Sequence, residues 1–283
     1  MEDQILKYED LPKLRKQFRD SGVTTESQNR LPIFEPSLKP REGTRRFEGK
    51  YGKMLVEGRL GQVHKNLLET IFWKKEIHSF LEINGKKHLK VLYDEMKIIK
   101  YLSQKSEYSY GRYRELLKDM IRTYIQLKTE KLEIEGTLIM EIEKSEILRP
   151  TKSKSPLIPE QVPLKAITFG AVATALFEDE LRFTYDPKPI MGLKSGISQA
   201  LVRFLKTQKN HPPAGYHLKE LIKNLIENAE GQKWKDIRRF LKEDSEKLEE
   251  LGIVTNFKED RLFVIDNKIM LYGKDKLTLS SDV

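Results

Sequence analysis

What most limits how this chain folds is that one order of parts occurs in it twice. From Tyr93 to Ile142, and again from Tyr216 to Ile265, the residues spell a short helix, a turn, a longer basic helix and a hairpin of β-formers. In the first stretch Met96, Ile98, Ile99 and Leu102 line the short helix. Ser109 stands where an N-cap is needed, and Tyr113, Leu116, Leu117, Met120, Ile121 and Tyr124 then follow the spacing of one helical face. After Thr129 the period drops to two. Leu132, Ile134, Leu138, Met140 and Ile142 fall at even positions around Gly136, as in a two-stranded hairpin. In the second stretch Leu218, Leu221, Ile222, Leu225 and Ile226 line the short helix, and Gly231 sits in the turn. Trp234, Ile237, Phe240, Leu241, Leu248 and Leu251 line the long helix, which Gly252 stops. Ile253-Val254, Leu262 to Ile265 and Ile269 to Tyr272 supply strands.

At 283 residues the length suggests about two domains. Residues 1–49 are polar, rich in Lys and Arg, and broken by Pro32, Pro36 and Pro40, which predicts a basic, partly flexible N-terminal arm. A first domain spans 50–148. It opens with a helix over Leu60 to His78, lined by Val63, Leu67, Leu68, Ile71 and Phe72, then a turn at Asn84-Gly85 and a short strand over His88 to Tyr93. Residues 149–165, with Pro150, Pro156, Pro159 and Pro163, break both helix and central strand and predict a linker. A second domain spans 166–283, with a helix over Ser195 to Gln208 ended by Pro212 and Pro213. Phe169 to Phe177 fits either a strand or a buried helix. The expected fold class is mainly α with small β-hairpins (α+β), as two such domains in tandem.

Helix–turn–helix–hairpin is the winged-helix arrangement, whose second helix commonly lies in a DNA major groove. The charge agrees. Lys plus Arg outnumber Asp plus Glu by 52 to 43, for a net +9 and a pI near 9.3, a balance that favours polyanions, nucleic acid before anionic membrane. In the first long helix the polar face carries Arg112, Arg114, Lys118 and Arg122, with Tyr110 at its start. In the second, Lys233, Lys235, Arg238, Arg239 and Lys242 stand against Asp236 alone over residues 232–242, a local 5 − 1 = +4. Solvated outer faces account for any one such helix. Two in the same position of a repeated unit point to duplex DNA. Lys128, Lys131, Lys258 and Arg261 lie where the wings reach flanking phosphates or the minor groove.

Catalysis finds little footing. The chain has no cysteine, and His64, His78, His88, His211 and His217 form no HxH, HExxH or HxxxH pair, so no metal and no cofactor is expected. Gly192-Leu193-Lys194-Ser195 lacks the glycine spacing of a P-loop. A binding protein is therefore expected, not an enzyme. Met1-Glu2-Asp3-Gln4 does not begin a signal peptide. No run reaches the roughly 20 apolar residues that cross a bilayer, so a cytoplasmic protein without a membrane partner is expected.

The run Lys194-Ser195-Gly196-Ile197-Ser198-Gln199-Ala200-Leu201-Val202-Arg203-Phe204-Leu205-Lys206 opens a helix on Ser, closes it on an aromatic–Leu pair, and follows the strand-like Leu181-Arg182-Phe183-Thr184. With the order of elements from Lys50 to Tyr272, it resembles the plasmid replication initiator (Rep) proteins built from two tandem winged helices. Ile197 and Gln199 depart from the family, whose corresponding helix carries more arginine and an early aromatic. The resemblance implies binding to repeated sites (iterons) at a replication origin, with Lys233 to Lys242 as the main major-groove helix. It also implies a further groove contact through Arg112 to Arg122, a homodimer through the first domain, and recruitment of host replication proteins. A tandem winged-helix transcriptional regulator, an origin-nicking enzyme and a module for acidic protein surfaces are the alternatives.

Overall fold

The computed structural model describes residues 24–103, 109–130, 133–150, 161–179, 182–208, 210–226 and 230–265. The chain begins with β1 (Thr24–Thr25), α1 (Glu26–Arg30) and the hairpin β2 (Gly43–Gly49) and β3 (Gly52–Gly58). Next come α2 (Gln62–Lys74), the hairpin β4 (Ile77–Ile83) and β5 (Lys86–Tyr93), then α3 (Glu95–Leu102), α4 (Tyr110–Arg122), and the hairpin β6 (Tyr124–Lys128) and β7 (Glu133–Thr137). A long pair, β8 (Ile139–Pro150) and β9 (Gln161–Phe169), leads to α5 (Ala171–Asp179), β10 (Arg182–Phe183) and α6 (Lys188–Met191). The remainder is α7 (Gly196–Lys206), β11 (Tyr216–His217), α8 (Leu218–Lys223), α9 (Gly231–Glu243), α10 (Ser245–Glu250), β12 (Ile253–Asn256) and β13 (Arg261–Val264).

A short helix, a longer helix and a hairpin follow one another in both stretches, although the first hairpin is Tyr124–Lys128 with Glu133–Thr137 and not the expected one around Gly136, and local chemistry sets the bounds. Asp94 accepts hydrogen bonds from the Met96 and Lys97 amides to start α3, and Ser109 accepts from Arg112 to start α4. Such caps satisfy amides that the helix itself leaves unpaired. Asn84 and Gly85, at φ 52° and 70°, form the turn between β4 and β5. The helix expected to run from Trp234 through Leu251 breaks at Asp244. The buried carboxylate of Asp244 accepts from the Lys194 amide at 2.7 Å and the Ser195 amide at 3.0 Å, tying the end of α9 to the start of α7.

The expected fold class, mainly α with small hairpins, is corrected to α+β with extensive sheet. Among the described residues the strands build four antiparallel sheets: β1-β10, β11-β13-β12, β2-β3-β6-β7 and β4-β5-β9-β8. Three stretches account for the difference. Gly43–Gly49, read as part of an arm, pairs along its whole length with Gly52–Gly58. Ile77–Ile83, whose first two residues were read as the end of a helix, is the partner of β5. Residues 149–150 and 161–165, read as parts of a linker, lie in the β8–β9 ladder, where Leu148 faces Pro163 and Pro150 faces Gln161. Proline is accepted there because β8 is an edge strand, and because β9 meets β5 only from Lys165 onward, leaving Pro163 with a single neighbour. Residues 151–160 lie outside the described part. So does Leu132 of the expected first wing, whose strands are β6 and β7, while Met140 and Ile142 belong to β8 in a different sheet.

The expected arm is also shorter than 1–49: residues 1–23 are outside the described part, but Leu31, Ile33 and Phe34 are fully buried. Phe169 ends β9, and Ala171 opens α5. Between them Gly170 passes so close to the Thr137 carbonyl that a Cβ would lie 2.0 Å from its oxygen. Only glycine fits that approach.

Two helices that precede the repeated stretches, α2 and α7, are joined by buried charge. Arg203 of α7 is 2% exposed and donates to Glu69 of α2 through Nε at 3.0 Å and Nη2 at 2.7 Å. It also donates to Gln62 and Asn66 at 2.7 Å each. The Tyr185 hydroxyl donates to the same carboxylate at 2.6 Å. Lys65 lies 3.9 Å from Glu69 and donates to Thr24 and Gln28 of the N-terminal strap. Burial by itself raises the Glu69 carboxyl, but the charge and hydrogen bonds of Arg203, backed by Lys65 and Tyr185, outweigh it and hold the group below its usual range.

Candidate nucleic-acid interface

Of the expected apolar stripe, Tyr113, Leu116, Leu117 and Met120 of α4 face the core, Ile121 is half-buried, and Tyr124 lies past the helix at the start of β6. At 100° per residue this turns Arg114, Lys118 and Arg122 outward, and all three are exposed. Tyr110, 47% exposed, opens the helix, and the Arg114 guanidinium lies 5.7 Å from its ring centroid. Arg112 is partly covered and paired with Glu115 at 3.4 Å. Lys118 and Arg122 have no ion pair among the described residues, so they are the cations of this helix most open to an outside anion.

The register of α4 is held from behind by a pair that periodicity does not show. His64 of α2 is fully buried; its Nδ1 accepts from the Gly61 amide at 3.1 Å, so the proton sits on Nε2 and is donated to Asp119 at 3.1 Å. Arg59 lies 3.8 Å from the same carboxylate. Burial lowers the His64 imidazole to about 4, against the upward pull of Asp119 and with Arg112 and Arg59 adding to the lowering. An unfolded histidine titrates near 6.5 and so takes up its proton first. The stability contributed by neutral His64 is thus complete above about pH 6.5 and is lost as pH falls toward 4. Urea denaturation is expected to show up to about 3 kcal/mol of loss across that window, and His64→Gln to flatten this part of the profile. An unchanged profile in the variant would count against the assignment.

In the second copy Ile237 and Leu241 are buried, and Lys233, Lys235, Arg239 and Lys242 are exposed. Arg239 stands opposite the core face. Its pairs, Asp236 at 3.3 Å and Glu243 at 4.0 Å, come from its own helix. Arg238 is turned toward the β12–β13 hairpin, where it donates to the Phe257 carbonyl. Lys258, at the hairpin tip, is exposed, whereas Arg261 donates to the Ala214 and Gly215 carbonyls at 3.3 Å each. The structure thus separates the residues grouped in the sequence into outward cations and braces. Lys131 is outside the described residues.

Phe240, which spacing placed on the apolar face of the long helix, is instead 36% exposed on the flank of α9. Together with Lys233, Asp236 and Ile237 it borders an open groove whose other wall is Arg46, Phe47 and Met54 of the β2–β3 hairpin. No periodic signal marks that groove, because its walls, the β2–β3 hairpin and α9, come from opposite ends of the described chain. Among the described residues no group of three or more His, Cys, Asp or Glu side chains is placed to hold a metal ion, and no helix is long and apolar enough to cross a membrane.

No family model matches the chain, and no curated protein matches it significantly. Solved structures do. The chain is similar to a selenomethionine crystal structure of domains 2 and 3 of RctB, with a TM-score of 0.50 and 14% identity over 79% of this chain and 85% of that one. A second structure of RctB domains 2–3 aligns over 69% of this chain and 94% of its own, at 13% identity and a TM-score of 0.34. At such identity the first likeness is one of fold alone.

Proposed function

We propose that this protein is a non-enzymatic, sequence-specific binder of double-stranded DNA that acts in the initiation of DNA replication. Its two helix–helix–hairpin units work as winged helices. In each, the long helix enters a major groove and the hairpin reaches the flanking backbone. The observation that carries this reading is the outward cationic face of α9, with Lys235, Arg239 and Lys242 exposed and a hairpin bearing Lys258 beside it. The exposed Lys118 and Arg122 of α4 repeat that face in the first copy. The resemblance to two-domain Rep initiators supports iteron repeats of a plasmid-type origin as the target. It also supports a second copy and host replication proteins as partners. The fold shared with RctB domains 2 and 3 supports the paired architecture.

A salt series on labelled duplex tests the reading. About six phosphate contacts, from Lys118, Arg122, Lys235, Arg239, Lys242 and Lys258, give an expected log–log slope near −5. A slope near zero overturns it. Footprinting on the DNA beside the gene separates an initiator, which protects several direct repeats, from a regulator, which protects a single operator.

A further inference from the structure

Arg238 and Arg239 are neighbours in sequence and look like equal readers of DNA; their geometry separates them. The Arg239 side chain is 61% exposed, and its partners, Asp236, Glu243 and the Phe240 ring at 4.9 Å, all belong to its own helix. A phosphate can displace such contacts without moving any other element. Arg238 is 38% exposed and points across to the hairpin. Its Nη2 donates to the Phe257 carbonyl, its guanidinium carbon lies 6.0 Å from the Phe257 ring centroid, and it approaches Asp260 to 3.7 Å.

The element it grips is a stiff turn. Asn256 accepts from the Lys258 amide at 3.1 Å and the Glu259 amide at 3.2 Å. Asp260 holds φ 51°, in the left-handed region, while its carbonyl accepts from the Leu218 amide at 2.8 Å. Arg261 fastens the next residue to Ala214 and Gly215. Lys258 therefore rides on a turn whose angle to α9 is set through Arg238.

We infer that Arg238 is a positioning residue: it fixes the offset between the α9 contacts and the Lys258 contact on DNA, and makes no DNA contact itself. The inference rests on the proposed major-groove role of α9. Its consequence is specificity, because a fixed offset favours sites whose flanking groove width places a phosphate at Lys258.

The test is a double-mutant cycle on the full chain, by fluorescence anisotropy on a specific and a random duplex over a salt series, with thermal denaturation as a folding control. Lys258→Ala and Arg238→Met are each expected to weaken specific binding roughly 5–10-fold and to reduce the salt slope by about 1. The double variant is expected to be no worse than either single one, since both lose the same contact. Lys258→Ala with Arg239→Gln is expected to be additive, with the slope reduced by about 2. Asp260→Asn is a second probe, and asparagine tolerates the left-handed backbone. Removing an acid near DNA ought to tighten binding, whereas loosening the brace weakens it, and weakening is expected. Multiplicative losses in the Arg238→Met/Lys258→Ala pair, an unaltered Arg238→Met protein, or tighter binding by Asp260→Asn overturns the inference. A wild-type protein that does not bind duplex overturns the proposed function instead.

Discussion

A protein with Lys235, Arg239 and Lys242 all replaced by glutamine is expected to bind its specific duplex roughly 100-fold more weakly than wild type. Three charge-assisted contacts at about 1 kcal/mol each give that figure, since every 1.4 kcal/mol is tenfold. The three side chains are exposed and remote from the buried Ile237 and Leu241, so stability is expected to change by less than about 0.5 kcal/mol. The salt slope is expected to lose about 3, one for each phosphate contact removed. The matching change in α4, Lys118→Gln with Arg122→Gln, is expected to cost less, because two contacts are removed. A triple variant that binds as tightly as wild type with an unaltered slope would remove α9 from the interface.

The largest expected effect on stability comes from the buried junction of α2 and α7. Arg203→Met is expected to destabilise the fold by roughly 3–5 kcal/mol in urea denaturation. The carboxylate of Glu69 is fully buried and loses both of its guanidinium hydrogen bonds. Lys65 at 3.9 Å and the Tyr185 hydroxyl then remain beside it. Arg203→Met combined with Glu69→Leu is expected to recover most of the loss, because the pair is replaced without leaving a charge behind. If the single and double variants are equally unstable, packing and not charge is what Arg203 contributes. Nearby Lys206 is lowered to about 8 by burial, with Glu69 pulling it up and Arg203 pushing it down. Its ammonium, 4.6 Å from the Tyr185 ring centroid, is part of the same junction.

The parts of this fold that were legible in the sequence are those in which one helix buries one face. Tyr113, Leu116, Leu117 and Met120 mark α4 by spacing, and all four are buried. The N-caps at Ser109 and Ser195 were legible for the same local reason. What was not legible depends on partners far along the chain. Leu31, Ile33 and Phe34 are core residues on irregular backbone, so no period reveals them. Pro150 and Pro163 argue against a strand until the strand is seen to lie at an edge or beyond its neighbour's end. Asp244 ends α9 with a carboxylate aimed at amides some 50 residues earlier. The basic residues of the candidate interface stand out in the sequence as a group, but the division between outward cations and braces does not. Arg238 and Arg261 are basic residues of the same kind, yet they are occupied by backbone carbonyls, Arg238 by Phe257 in the hairpin and Arg261 by Ala214 and Gly215 ahead of α8.

The interleaving of strands also bears on how the molecule is made. Lys90 to Tyr93 pair with Lys165 to Thr168, and Thr24 and Thr25 pair with Phe183 and Arg182. A nascent chain emerging from the ribosome therefore displays β5 with one side unsatisfied until β9 has been translated. During that interval two neighbouring polysomal chains compete for the same edge, the situation in which holdase chaperones act. The β11-β13-β12 sheet draws its strands from one short late stretch, and it closes soon after its last strand is released.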